Sequence, residues 1–351
     1  MFEKRMKVAL IHIRYIYKGG LETRLFNYIN YFLERGDEVH LYTSKISPDI
    51  TPPENLHIHL VNLKHVLKPV RNFFFDKKLK HILERNAFDF ILSLERTSRQ
   101  YHVIAPSTHK GYLVAKKSRF YDLVDLIQIY LDRKAFGSAK VVFACSNMIK
   151  EEIVSYYNIP PEQIKVLYPP VNLSKFTINL TKQEAQDKYQ LDGKNTYFLF
   201  VSTSHKRKGL DLLLEVFAKL PTNYKLLVAG TPFERDLDNV ISLGFVKEMN
   251  DLYRASDFLL HPAIYEPFGQ IISEAFASHL PVIVSSKVGA KELITDKNGV
   301  VVNSLLKEDW IKAIELLSTR SFDFHNIDEL LNELSLEKHM ENMLNWAILR
   351  N

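Results

Sequence analysis

Two glutamates, Glu266 and Glu274, stand eight positions apart in the segment HPAIYEPFGQIISEA that begins at His261. The first falls in a loop after an apolar run, the second about one and a half turns into the following helix. Carboxylates accept hydrogen bonds from vicinal hydroxyls, so such a pair can hold two sugar rings of one molecule. The N–H groups at the helix start, around Phe268, Gly269 and Gln270, suit that molecule's negative charge. One acid favoured by the helix dipole beside one exposed acid fits the spacing as well. A basic turn, SHKRKG at Ser204–Gly209, is the second ingredient. Its His205, Lys206, Arg207 and Lys208 end at a glycine that opens a helix, and read as a diphosphate clamp or as a solvated loop. In the third, KGGLE at Lys18–Glu22, Gly19 and Gly20 let backbone N–H groups approach a ligand, or simply make a tight turn. It is not GxGxxG, so the dinucleotide fingerprint is missing. The segment SSKVGAKEL, from Ser285, is uninformative by itself.

These segments need strand ends to hold them. Hydrophobic patterning predicts strands over 7–12, 39–43, 57–61, 88–94, 102–106, 141–146 and 165–167, with helices over 21–35 and 147–157. Between them Phe120, Leu123, Val124, Ile127 and Leu131 mark an apolar helix face, leaving Asp122, Asp125, Gln128 and Asp132 as an acidic outer face. Pro169-Pro170 and the polar stretch to Asn195 read as a domain boundary. The pattern then restarts, with strands over 197–201, 224–229, 240–245, 258–262 and 281–285 and helices over 209–220, 248–255 and 270–278. Alternating strands and helices imply an α/β fold: two Rossmann-like domains whose parallel sheets face a central cleft. In such sheets ligands bind beyond the carboxyl ends of the strands, where all four segments lie.

With 351 residues, 46% apolar and 25% charged, the chain reads as a soluble protein of two domains, and wholesale disorder is excluded. The single cysteine, Cys145, excludes a disulfide framework and a thiolate zinc site, and suits a reducing compartment. No apolar run approaches the roughly 18–20 residues of a membrane span. The opening MFEKRMKVALIHI is too brief and wrongly flanked for a signal peptide. The net charge of +5 is uneven: residues 1–170 hold 26 Lys/Arg against 17 Asp/Glu, a balance of +9, and the remainder hold 20 against 24. A basic first half suits an anionic partner. Within it Phe73, Phe74 and Phe75 adjoin Lys77, Lys78 and Lys80, and Lys116, Lys117 and Arg119 form a second cluster. Aromatic and basic residues together suit a membrane interface, although phenylalanines are commonly core.

The motifs KGGLE, RKGLDLLLEVF from Arg207, LYRASDFLLHPAIYEPFGQIISEAFASHLPVIVS from Leu252, and VGAKELI from Val288 together resemble the family 4 retaining glycosyltransferases of GT-B architecture. FACSNMIKEEIVSYY and IKVLYPPVNLSKF extend the likeness over nearly the whole chain, in the family's order. Within the family the chain resembles the lipopolysaccharide core glucosyltransferases that act early on the inner core. The resemblance implies an acceptor-binding domain over 1–170, completed by a C-terminal helix at 337–351, and a donor-binding domain over 171–336. It places Glu274 on the ribose hydroxyls of a nucleotide sugar and Glu266 at the donor sugar, which backbone N–H groups of Phe268 and Gly269 help to seat. Arg207 and Lys208 would neutralise the diphosphate, with His205 assisting. Gly19 and Gly20 would let their loop approach the donor, Phe245 would lie at the base, and His109, in APSTH, would lie near the reacting sugar. Two departures stand out. The family's Gly-Arg at the end of the second domain's first strand is Val201-Ser202-Thr203 here, and Ser107 replaces an aspartate that some relatives carry.

The implied activity is retaining transfer of a hexose, UDP-glucose or similar being the donor, to a glycan or glycolipid acceptor of lipopolysaccharide, lipooligosaccharide or other cell-surface glycan. Metal independence is expected, as is the absence of any cofactor beyond the nucleotide diphosphate sugar as co-substrate. The expected partners are that donor, the acceptor and an anionic membrane surface, with no nucleic acid. The expected location is the cytoplasm, peripheral to the inner face of its membrane. A nucleotide-sugar epimerase on the same architecture remains an alternative, and so does a non-enzymatic module binding anionic lipid or nucleic acid through the basic half. No helix-turn-helix or zinc-finger signature supports the latter.

Overall fold

Short runs rich in Val, Ile, Leu and Phe, buried on both faces, make the strands of two parallel sheets, and amphipathic segments between them make the crossover helices. The computed structural model describes residues 5–17, 19–83, 86–176, 179–234 and 237–348. Lys18 of the KGGLE segment and residues 349–351 lie outside the described residues. The chain divides into two compact units. One runs to Pro169 and takes in the chain from His339 onward; the other spans Pro170–Lys338.

The first unit begins with β1 (Lys7–Ile11), β2 (Arg14–Tyr15), α1 (Gly20–Glu34), β3 (Glu38–Thr43), β4 (Lys45–Ile46) and β5 (Leu56–Leu60). It continues with α2 (Arg71–Leu83), β6 (Phe90–Ser93), β7 (His102–Ala105), α3 (His109–Ala115), α4 (Leu123–Ser138), β8 (Val141–Ala144), α5 (Asn147–Tyr157) and β9 (Ile164–Val166). Seven strands pair in the order β5-β3-β1-β6-β7-β8-β9, all parallel, and β2 pairs with β4 apart from them. In α1, Leu25, Tyr28, Ile29 and Phe32 recur at helical spacing and are fully buried. Gly36 stops it: Gly36 N–H donates to Leu33 O and Asp37 N–H to Phe32 O, the wrapped turn that satisfies a helix's last carbonyls.

Two readings of this unit need correction. The apolar residues at the start of α4 are not buried: Phe120 is 90% and Leu123 73% exposed, and Leu126 and Tyr130 also face out. Asp132, read as part of the acidic outer face, is 1% exposed. The helix turns its C-terminal half inward through Leu131, Ala135 and Phe136, so the packed face is not the most apolar one. The aromatic triplet also splits. Phe75 is buried in the cluster beneath α2 with Leu79 and Leu83, whereas Phe73 and Phe74 are exposed.

The second unit holds α6 (Lys182–Lys188), β10 (Thr196–Ser202), α7 (His205–Lys208), α8 (Leu210–Phe217), β11 (Tyr224–Gly230), β12 (Val240–Gly244), α9 (Met249–Ala255), β13 (Phe258–His261), α10 (Gln270–Ala277), β14 (Val282–Ser285), β15 (Gly299–Val302), α11 (Lys307–Ser318) and α12 (Ile327–Glu333). Its strand order is β12-β11-β10-β13-β14-β15, again all parallel. Phe198, Phe200, Phe217 and Trp310 centre its core between the sheet, α8 and α11. β10 lies where the strand order turns, the position at which open α/β sheets bind ligands.

A last helix, α13 (Leu336–Ile348), returns the chain to the first unit. His339 fixes it there: its Nδ1 lies 2.8 Å from Tyr168 O and its Nε2 2.6 Å from the Tyr28 hydroxyl of α1. A carbonyl can only accept, so Nδ1 carries the proton and Nε2 accepts from Tyr28. Burial and the nearby Arg24 hold the imidazole pKa down at about 3, so the ring is neutral. His339→Ala removes the imidazole that joins the Tyr28 hydroxyl to the Tyr168 carbonyl and leaves a cavity in its place, at a cost of about 2–4 kcal/mol. Urea denaturation monitored by circular dichroism measures it, and an unchanged midpoint refutes the anchoring role.

Candidate active site

The second unit brings the basic turn and the first glutamate into contact. Gly209 closes α7 with φ +88, and a Cβ there would lie 2.2 Å from Pro262 O. Only glycine lets the basic turn lie against the loop that follows β13. Ile264 N–H donates to Arg207 O at 3.0 Å and holds that approach. Arg207 Nη1 then donates to Tyr265 O at 2.8 Å and to Glu266 Oε2 at 3.1 Å. Lys208 Nζ is 3.9 Å from the same oxygen, and His261 Nε2 is 3.6 Å away. Two groups from α7 and one from the end of β13 thus surround one carboxylate.

The backbone of that loop has its own brace. Glu266 N–H donates to Lys287 O, Gly289 N–H to Glu266 O, and Ala290 N–H to Phe268 O. SSKVGAKEL, silent in the sequence, is the segment that fixes Glu266. Burial alone would raise the Glu266 carboxyl, but His261, Lys208 and Arg207 outweigh it and hold its pKa at about 2. Burial lowers Lys208, with Glu266 and Glu274 acting against the fall. His261, fully buried, is also lowered and stays neutral near pH 7. It was in the segment singled out from sequence, but its role as the third neighbour of Glu266 was not.

Glu274 lies on α10, where the Tyr253 hydroxyl of α9 donates to Oε2 at 2.7 Å. Burial raises its carboxyl, while Tyr253, Lys208 and Lys175 work in the opposite direction. Phe268 is buried, and Gly269 caps α10. Two of the named residues lie apart from this group. His205 turns to Thr231 O, 2.6 Å from Nε2, with its ring edge-on to Phe233, rather than to the Glu266 cluster. Phe245, just after Gly244, presents a side chain 75% exposed.

The first unit assembles two further polar centres at the carboxyl ends of its strands. Gly19 caps α1, with Gly20 its first residue, and Glu22 folds back under that loop, 5% exposed. Arg14 Nη2 donates to Glu22 Oε1 at 2.9 Å, and His12, directly after β1, lies 3.9 Å from Glu22 and 3.0 Å from Glu95. The second centre is Asp132, which receives Arg96 Nε at 2.5 Å, Tyr157 OH at 2.8 Å and His109 N–H at 2.7 Å. Its partners come from the loop after β6, from α5 and from α3. The His109 imidazole faces the other way, Nε2 lying 2.8 Å from Asp125 Oδ1. Between the two centres a cavity of about 90 Å³ is lined by Glu95, Arg96, Ser107 and Asp132, among others. His12, Glu95 and Arg96 are not singled out by the sequence reading, and Glu22 and Asp132 enter it without a site role. Glu22 was visible in KGGLE, and His12 at the end of a strand; nothing local marks Glu95, whose carboxylate meets Ile13 N–H 82 positions away.

Burial would depress the His12 imidazole, but Glu22 and Glu95 prevail and lift its pKa to about 9. A folded-state pKa above the usual 6.5 gives stabilisation that is complete below pH 6.5 and lost as pH rises through 9. The loss across that window is on the order of 3 kcal/mol. His12→Gln should abolish this part of the slope, and denaturant midpoints at pH 6, 7.5 and 9 read it. An equal slope in both proteins would refute the charged pairing.

Both units have relatives among known proteins. Residues 181–329 match the family model for glycosyl transferases group 1, and residues 18–175 that for glycosyltransferase family 4. A probable transglycosylase of Burkholderia thailandensis is 27% identical over 280 residues, 79% of this chain and 77% of that protein. The lipopolysaccharide glucosyltransferase WaaG of Escherichia coli is 23% identical over 334 residues, 88% of each chain. The crystal structure of WaaG, described as involved in lipopolysaccharide biosynthesis, superposes with a TM-score of 0.74 at 21% identity, covering 95% of this chain and 94% of that one. Anabaena HepE in complex with UDP and glucose gives 0.71 at 15%, covering 97% and 99%. The two family models in this order, on two parallel α/β units, place the chain among the GT-B glycosyltransferases with group 1 and family 4 domains.

Proposed function

We propose that this glycosyltransferase moves a hexose, with retention and without a divalent metal ion, from a nucleotide diphosphate sugar such as UDP-glucose to a glycan or glycolipid acceptor. The observation that carries the reading is the convergence of Arg207 and Lys208 on Glu266 within a unit that also holds Glu274 on α10. The likeness to WaaG supports an acceptor of lipopolysaccharide or lipooligosaccharide core, or another cell-surface glycan, and HepE with UDP supports a uridine nucleotide. Transfer breaks the bond between the anomeric carbon and a diphosphate oxygen, which leaves with the electron pair. The acceptor oxygen bonds the anomeric carbon on the same face, and its proton passes to that departing oxygen. Fixed positive charge at the leaving group is the largest lever an enzyme has on such a step. Arg207 has further N–H donors beyond those given to Tyr265 and Glu266, and Lys208 is a mobile point charge. The N-terminus of α10, at Gly269, adds partial positive charge next to Phe268. Glu266 orients hydroxyls of the donor sugar, and Glu274, with Oε2 held by Tyr253, offers Oε1 to the ribose. In the first unit Gly19 and Gly20 leave the start of α1 open to close approach by a ligand, His109 presents its imidazole with Asp125, and the Glu95–Ser107 cavity suits acceptor hydroxyls. The epimerase alternative needs no acceptor and converts free nucleotide sugar, which the family assignment does not favour.

Calorimetry with UDP, GDP, ADP and their sugars, with and without magnesium, tests this reading. One diphosphate should bind equally well in both conditions, and Glu274→Ala should abolish the binding. Lys208→Ala should lower turnover by about 10²–10³-fold. Wild-type binding and turnover in both variants would refute the site.

An anionic membrane surface is the partner we assign to the first unit. Among the described residues no helix is long and apolar enough to cross a membrane. Phe120 and Leu123 are exposed beside Lys116, Lys117 and Arg119 in the α3–α4 turn, a pairing that inserts apolar groups while cations meet headgroups. Each such cation contributes about 1 kcal/mol at an anionic surface. Flotation with phosphatidylglycerol vesicles should recover the wild type, fail in high salt, and fail for Phe120→Ser/Leu123→Ser. Binding to neutral vesicles as strong as to anionic ones would overturn it.

A further inference from the structure

The edge of the first sheet carries a cluster that sugar transfer does not use. β5 is the edge strand, and it pairs with β3 so that His40 lies across from His57 and Tyr42 across from His59. Directly paired residues of a parallel ladder share a face, as do residues two apart on one strand. Glu38, His40, Tyr42, His57 and His59 therefore point the same way. The apolar cluster under α2 covers this face only as far as Tyr42 and Phe88. Beyond it Glu38 and His40 are partly buried and His57 is exposed.

The side chains already touch. His40 Nε2 is 2.8 Å from Glu38 Oε1, and His40 Nδ1 is 2.8 Å from His59 Nε2. The His40 ring stacks on His57 with centroids 4.8 Å apart, and Tyr42 stacks on His59 at 4.6 Å. One ligand atom each from Glu38, His40 and His57 lies within 4.8 Å of the other two. We propose that Glu38, His40 and His57 form a binding site for one divalent transition-metal ion, zinc or a close neighbour such as cobalt or nickel, with water completing its coordination. Donors about 2.0–2.2 Å from a tetrahedral ion are roughly 3.4 Å apart, so a small rotation of the exposed His57 brings the set to bonding distance. Two imidazoles and one carboxylate suit zinc, cobalt or nickel, whereas magnesium and calcium take oxygen ligands. With Nε2 on the ion, His40 keeps Nδ1–H for His59, the supporting hydrogen bond that orients a metal-bound imidazole. Lys7 Nζ stands 3.3 Å from Glu38 Oε1 and 5.5 Å from the centroid of the Phe88 ring. It balances Glu38 when no ion is bound, and can yield to the ion by settling over that ring. An ion here ties the edge strand to its neighbour and stabilises the unit without touching the Glu266 cluster.

Titration of the tag-free full chain with zinc alone, in competition with a chromophoric chelator, tests the site, and cobalt absorption spectra report the ligand set. One zinc should bind per chain and raise Tm by about 5 °C at roughly 100 times Kd. His57→Ala and Glu38→Gln should each weaken binding at least about tenfold and remove the Tm rise. The far-UV spectrum and transfer rate of His57→Ala should match the wild type, since it removes an exposed side chain away from the transfer residues. Absence of saturable zinc binding, or binding unaltered in both variants, would overturn the proposal.

Discussion

A carboxylate taken out of water must be surrounded by charge, and the second unit is organised to satisfy that demand at Glu266. Two of its compensating groups, Arg207 and Lys208, arrive on α7 after another strand, so the fold has to bring two strand ends almost into contact. Gly209 permits the contact, Ile264 N–H and the Ala290–Phe268 hydrogen bond maintain it, and Lys287–Gly289 holds the glutamate's own backbone. Removing one member of such a group strands the others, which typically costs 3–5 kcal/mol, so stability and site geometry are hard to vary separately. The low Glu266 carboxyl and the lowered Lys208 ammonium are two views of that one constraint.

The first unit solves the same problem differently. Two of its groups of buried charge are His12 between Glu22 and Glu95, and Asp132 beneath Arg96, Tyr157 and the start of α3. Both sit where parallel strands end and helices begin, the places at which backbone donors lack partners within their own element. His109 takes part through its main chain, whose N–H reaches Asp132, while its imidazole is engaged by Asp125. The residue that the family likeness marks for chemistry is thus also a structural support for the loop that carries it.

What the sequence made legible follows from how local each signal is. The strands of the two main sheets, except β15, could be read because a buried parallel strand is a compact apolar run, and α5 is legible end to end at Asn147–Tyr157. Arg207, Lys208 and Glu266 could be paired on paper because both loops follow strands of one sheet. Glu95 and Asp132 could not, since their partners are distant in sequence and neither residue type betrays burial. The α4 face failed for a different reason. Amphipathic reasoning assumes that apolar residues face inward, and Phe120 and Leu123 do not. α2 hid behind its lysines and phenylalanines, which suggested a surface before they suggested a helix.

The closing helix has a consequence for the order of synthesis. Tyr28 and His339 are 311 positions apart, and the ring that joins them belongs to the unit that is translated first. That unit can form its sheet early on the ribosome, but a groove against α1 stays open to solvent until the chain around His339 emerges. Translation at about 5–20 residues per second puts that delay at roughly ten seconds or more. During it the second unit can fold, so α13 completes the unit begun first. A nascent chain stalled just before α13 would present the cell with one unit complete and one unsealed.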